Sequence, residues 1–267
     1  MRQSAALDSD LGKVEALQGF ACQRSAGDCL ANMASQICQT TQRAFTWTGP
    51  YGGGKSSLAI TLAGLVGAKG PVRAAAVEAL GSAVADKLLE AFNPGRNGWL
   101  VVPVVGRKSD PIQDIGNALE HARRKDGNLR GHPRGDVASG RELLDRLTKE
   151  AEDRPRDGVL LIIDEMGKLL ESAAAEGGDI YLFQELAETA ARSKGRIVVV
   201  GILHQAFDQY ASRLGQETRD DWAKIQGRFI DIPLIAAVDE VIDLLGRAIV
   251  SNRRHPGTAD RPDQLKI

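Results

Sequence analysis

The stretch Ala44-Phe45-Thr46-Trp47-Thr48-Gly49-Pro50-Tyr51-Gly52-Gly53-Gly54-Lys55-Ser56-Ser57 decides how the rest of the chain is read. Its first five residues are β-prone, its middle is glycine-rich, and an apolar run to Val66 follows. That order predicts strand, loop, helix. From Gly49 to Ser56 the residues match the spacing G-x-x-x-x-G-K-[ST] without a mismatch. Glycines let such a loop wrap a phosphate closely, its backbone N–H groups turned inward in conformations that a Cβ would block. Lys55 supplies a point charge for β- and γ-phosphates and Ser56 a hydroxyl for Mg²⁺. The helix starting near Lys55 adds its dipole and free N–H groups. Gly49, Pro50, Tyr51, Gly52, Gly53, Gly54, Lys55, Ser56 and Ser57 are therefore the candidate phosphate-binding residues. The competing reading, a glycine-rich turn with an incidental Lys-Ser, does not account for the agreement of spacing, strand and helix.

A loop of this kind needs a carboxylate at the end of a neighbouring strand to hold the shell of Mg²⁺. Val159-Leu160-Leu161-Ile162-Ile163-Asp164-Glu165 offers one. Asp164 is expected on the metal side, and Glu165, one residue on, is expected to polarise an attacking water. Alternatively the two carboxylates cap a helix beginning at Met166.

Further out, Cys29, Leu30, Met33, Ile37 and Cys38 recur at helical spacing after Asp28, predicting a helix over 28–42 with Asp28 as N-cap. Val72 to Phe92 reads as one helix stopped by Asn93-Pro94-Gly95, and Trp99 to Val105 as a strand. Helices are expected over 112–124, 141–154, 180–192, 206–214 and 238–250, and strands over 197–200 and 229–234. Residues 126–140 have loop composition, and 253–267 read as a polar tail. Apolar strands that do not alternate, separated by helices, indicate a parallel sheet covered on both faces. The expected class is α/β, a three-layer P-loop NTPase fold with a mainly parallel five-stranded sheet.

With both motifs in place, the chain resembles the AAA+ branch of the P-loop ATPases over residues 28 to 250. The resemblance implies ATP and Mg²⁺ as ligands, hydrolysis of the β-γ phosphoanhydride, and a homo-oligomer or larger ATPase assembly. It implies a polar sensor just after the strand at 197–200, which falls near His204 or Gln205. Gln226-Gly227-Arg228-Phe229 is similar to the family's segment before its last core strand, where an arginine reaches the neighbouring subunit's γ-phosphate. Arg228 takes that role here, with Arg213 as competitor. Lys55, Glu165, Arg228 and His204 are thus the candidate catalytic residues, and Ser56 and Asp164 the candidate metal ligands. The family's helical lid is expected to be minimal or missing. The division expected is an N-terminal extension (1–27), an ATPase core (28–237) and the start of a lid or linker (238–267).

Composition narrows the partners. In 267 residues, 34 Lys plus Arg against 35 Asp plus Glu leave a net charge of −1, so no global field favours a polyanion. A local patch at Arg123-Arg124-Lys125 and Arg130-Gly131-His132-Pro133-Arg134 is the candidate nucleic-acid contact, though it lacks interleaved aromatics. Cys22, Cys29 and Cys38 lack zinc-site spacing. Nothing approaches a membrane span or signal peptide, so a reduced cytoplasmic protein is expected. Two rivals to a working ATPase are a slow nucleotide-gated signalling or defence switch and a DNA-associated ATPase of helicase-loader or origin-recognition type.

Overall fold

Five parallel strands form one sheet in the order β2-β3-β4-β1-β5, with β1 Ala44–Thr48, β2 Leu100–Val105, β3 Val159–Asp164, β4 Ile197–Leu203 and β5 Ile230–Pro233. The computed structural model describes residues 7–18, 20–127, 135–154, 156–175, 181–205 and 222–234. The helices expected at 206–214 and 238–250, the polar tail, the lid, Arg213 and the basic segment 130–134 lie outside the described residues.

Period-2 alternation splits the apolar strands between two cores. Leu161, Ile163 and Val199 face one side, where α7 (Pro111–Asp126), α8 (Gly140–Glu152), α9 (Met166–Ala175) and α10 (Tyr181–Arg192) cover them. Phe45, Trp47, Leu160 and Ile162 face the other, under α3 (Arg24–Gln39), α4 (Lys55–Val66), α5 (Pro71–Leu80) and α6 (Ser82–Phe92). Every residue of β3 and β4 is buried, as expected of strands sandwiched between helical layers. The architecture is the three-layer α/β P-loop NTPase fold anticipated from the sequence.

Several boundaries differ from the sequence reading. The helix expected over 28–42 begins at Arg24 without a side-chain cap, and Asp28 lies inside it. The helix expected over 72–92 is two, broken at Gly81, whose φ of +79° and ψ of 146° suit glycine alone. β4 continues three residues past Val200, since Gly201, Ile202 and Leu203 pair with Thr46, Trp47 and Thr48 of β1, and residue 201 is glycine where a side chain would collide with the Met166 thioether. Within the extension, the short helices α1 (Leu7–Asp10) and α2 (Val14–Leu17) bury Leu7 and Leu17 against the second core. The edge strand β2 donates from Leu100 to the Gly158 carbonyl just before β3, and Gly106 just beyond β2 donates to Asp164 at the end of β3. The odd positions therefore face outward, and one of them is Pro103, which has no N–H to offer.

Charges buried between α7 and α8 correct another expectation. Glu150 is fully buried and accepts from Arg154 at 3.0 and 3.1 Å, while Arg123 Nε lies 3.0 Å from its other oxygen. Arg154 also reaches Asp126 at 2.6 Å and Arg123 reaches Glu120 at 3.2 Å. Arg123, 3% exposed, is thus a core ion and no part of a nucleic-acid surface, while Arg124 remains exposed. Removing one member of such a cluster leaves the others charged and uncompensated. Glu150→Ala is expected to destabilise the fold by about 3–5 kcal/mol, read as a lower midpoint in urea unfolding, with Glu120→Ala costing much less.

Candidate nucleotide site

Parallel strands deliver their carboxyl ends to one edge of the sheet, and there the loop after β1 meets the loop after β3. The glycine-rich loop runs from Gly49 into α4, with Gly54 as the helix N-cap. Gly52 and Gly54 hold φ of +77° and +75°, with nothing within 4 Å of where their Cβ atoms would stand. The loop is an open cradle of backbone N–H groups at a helix N-terminus, the shape an anion needs. Its base is fixed differently: a Cβ on Gly49 would lie 2.5 Å from the Leu234 carbonyl, and Leu234 N–H donates to Thr48 at 2.7 Å. Pro50 accepts from Gly53 N–H at 3.3 Å, and Ser57 carbonyl accepts from Thr61 at 2.8 Å.

Lys55 is 4% exposed, and its Nζ donates to the carbonyls of Gly49 and Pro50, both at 2.7 Å. Burial pushes its pKa down, and the negative charge of Asp164 partly offsets that. An ammonium has three donors, so two hold the loop and one is left for a ligand. Ser56 Oγ donates to Asp164 Oδ2 at 2.9 Å across 108 residues of chain, and Asp164 Oδ1 accepts the Glu165 N–H at 2.9 Å. A buried cation, a hydroxyl paired with a carboxylate, and a nest of amides form a donor set that fits a nucleotide phosphate chain with a hard divalent cation.

Glu165 takes φ +54°, left-handed for a residue with a side chain, which turns it away from the β3 line. Its carboxylate is ion-paired with Lys168 one turn into α9, and lies 3.7 Å from His204 Nε2. His204 reaches this point because β4 lies between β1 and β3 and ends at Leu203. Tyr51, 72% exposed at the loop tip, stacks on the His204 ring at 3.6 Å and 18°. Tyr51, His204, Glu165 and Lys168 are therefore one contiguous set over the phosphate loop. The sequence reading named the first three separately and missed Lys168, for which the i,i+3 spacing from Glu165 was the available signal. Gln205, the other sensor candidate, follows His204 and is half-buried.

Arg228 is not brought to this edge. It precedes β5, whose Ile230 pairs with Phe45 at the start of β1, and so stands at the opposite pole from the loop. Its guanidinium is half-exposed and pairs with Glu188 of α10 at 3.1 Å.

Neither a family model nor a curated protein sequence matches the chain. Among solved structures it is similar to the Aeropyrum pernix ORC2 protein in its ADP form, with 15% identity and a TM-score of 0.51, covering 89% of this chain and 56% of that one. The same protein in ADPNP-ADP complexes gives 14% identity and a TM-score of 0.48, covering 88% and 55%. The Walker-type ATPase PABY2304 of Pyrococcus abyssi gives 11% identity and a TM-score of 0.46, covering 92% and 63%. The chain thus spans little more than half the length of the ORC2 structures, and the first likeness shows a shared fold. No helix among the described residues is long and apolar enough to cross a membrane.

His204 carries a pH consequence. Burial first, and the Lys55 charge second, hold its pKa below the ordinary 6.5, against the pull of Glu165 and Asp164. The ring is neutral at pH 7. As pH falls below 6.5 the unfolded chain takes up this proton before the folded one does, so stability is full above that value and declines through it. Thermal unfolding midpoints of wild type are expected to fall more steeply across this acid range than those of His204→Gln, as followed by circular dichroism.

Proposed function

We propose that the chain is a Mg²⁺-dependent ATPase of AAA+ type whose nucleotide cycle drives conformational change in a partner or fused domain. The observation that carries this reading is the Ser56–Asp164 hydrogen bond. It joins the hydroxyl of the phosphate loop to the carboxylate of the acidic strand, the two groups that would share a metal ion. The fold shared with an ADP-bound structure supports the reading.

In this reading the amides of residues 52–57 and the Lys55 ammonium hold the β- and γ-phosphates. Ser56 and Asp164 would hold Mg²⁺, which neutralises charge on the phosphate oxygens when bound. Glu165 accepts a proton from the attacking water as the bond between the γ-phosphorus and the bridging oxygen breaks, giving ADP and phosphate. His204 senses the γ-phosphate end of the site. Arg228, at the far pole, completes a neighbouring copy's site after leaving Glu188, which makes the active species a homo-oligomer or larger assembly. Catalysis here is mostly fixed charge placed in advance.

One observation favours the slower reading, a nucleotide-gated switch: Glu165 is already engaged by Lys168 and faces His204, so the base is restrained before any water arrives. For DNA association the earlier candidate surface is reduced by the burial of Arg123.

ATP turnover measured against protein concentration tests the set. Turnover is expected to rise more than linearly, Lys55→Ala to lose nucleotide binding, and Glu165→Gln to keep binding while slowing hydrolysis by about 10²–10⁴-fold. Arg228→Ala is expected to cost at least about 10³-fold. Tight binding with no turnover in wild type would leave the switch, and no ATP binding would overturn both.

A further inference from the structure

The opposite pole of the sheet carries a concentration of positive charge. Arg43 precedes β1, Arg156 and Asp157 precede β3, and Lys194 and Arg196 precede β4, so the parallel topology gathers all of them at the amino ends of the strands. They line one cavity of about 310 Å³, together with Asn93 after α6. Four cations face a single carboxylate, and that carboxylate is engaged elsewhere: Asp157 accepts the Gly95 N–H at 2.6 Å and offsets the charge of Arg73. Among the described residues none of the four cations has an ion-pair partner within 4 Å.

Arg43 is the informative one. Its Nη1 donates to the carbonyls of Thr40 and Gln42 at 2.8 and 2.6 Å, while its Nε is buried with no hydrogen-bond partner. Burial lowers its pKa and no carboxylate raises it. The guanidinium lies against the backbone of Gly195, where a Cβ would stand 3.4 Å from it, in a turn that places Lys194 at φ +55° and Gly195 at +83°. A partly buried, unpaired guanidinium is costly, and it becomes favourable when an anion arrives. A second cavity of about 200 Å³ shares Lys194 and Arg196, but there Glu152 and the Glu188-paired Arg192 bring the charge closer to balance, so the surplus belongs to the first cavity.

We propose that this cavity is a binding site for a small polyphosphate-bearing anion, of pyrophosphate to nucleotide size, separate from the phosphate loop. Its volume lies at the lower end of the range for small-molecule sites, about 300–1,000 Å³. The formal surplus of three positive charges suits a ligand with two or more negative charges, and arginine forks match phosphate oxygens bidentately. A lipid headgroup fits less well, because the two large hydrophobic side chains exposed among the described residues, Tyr51 and Tyr181, are not among its lining residues. The concavity favours a compact anion over a duplex backbone.

Equilibrium dialysis of radiolabelled inorganic pyrophosphate against the full chain decides this, in a Lys55→Ala background that silences the phosphate loop. One pyrophosphate per chain is expected to remain bound, and adding Arg156→Gln with Arg196→Gln is expected to weaken it by at least about tenfold. Unfolding midpoints, measured in parallel, are expected to stay unchanged by these surface substitutions. Loss of all binding in Lys55→Ala alone, or retention in the triple variant, overturns the proposal. So does tighter capture, through the same arginines, of a short DNA duplex or of vesicles containing a phosphoinositide. None of these outcomes depends on whether the chain hydrolyses ATP.

Discussion

The hydrogen bond between Ser56 and Asp164 is the constraint that organises this molecule. Two residues 108 positions apart must meet within 2.9 Å, one at the start of a helix and one at the end of a strand. A parallel sheet with β4 inserted between β1 and β3 satisfies that requirement, because it aligns three carboxyl ends side by side. The same insertion brings the residue after β4 between the other two loops, which is how His204 comes to face Glu165 on one side and Tyr51 on the other. The apolar strands and their helical layers serve this alignment: shift β3 by one residue and its two faces exchange cores while Asp164 turns away from Ser56.

The parts of this arrangement that were legible in sequence are those written in local chemistry. The glycine-rich loop, Lys55, Ser56 and the run ending in Asp164-Glu165 announce themselves by spacing, and the structure brings Lys55, Ser56, Asp164, Glu165 and His204 to one edge. What was not legible depends on partners far along the chain. Nothing in Gly201 itself says that a strand continues through it, since its partner is Thr46 of β1 and the room for its side chain is filled by the Met166 thioether. Nothing in Arg123-Arg124-Lys125 separates a buried ion from its exposed neighbour, since the reason is Glu150 on the next helix. The break at Gly81 was available, but an alanine- and leucine-rich stripe on both sides of it reads as continuous. At Gly201 and Arg123 a tertiary contact decided what periodicity could not, and at Gly81 a backbone conformation did.

Charge is distributed between the poles of the sheet in contrasting ways. At the carboxyl pole Lys55, Lys168 and His204 stand among Asp164 and Glu165, so the region is close to balanced and small displacements of one group are felt by the others. At the amino pole the cations outnumber the carboxylates and the deficit is left open. Between α7 and α8 the buried ions close on themselves. The balanced pole suits chemistry, the closed cluster holds a helix pair, and the open pole awaits a counter-charge.

The outward-facing Pro103 has a consequence for how copies of this chain can associate. An edge strand normally offers a ladder of alternating donors and acceptors on which another sheet can grow, and a missing donor in the middle of β2 interrupts that ladder. With α1 packed against the same strand, continuous sheet extension from this edge is discouraged. A ring or stack built through this edge would therefore rest on contacts between helices and loops, which can slide or rotate, where a shared sheet would lock neighbouring copies into one rigid body.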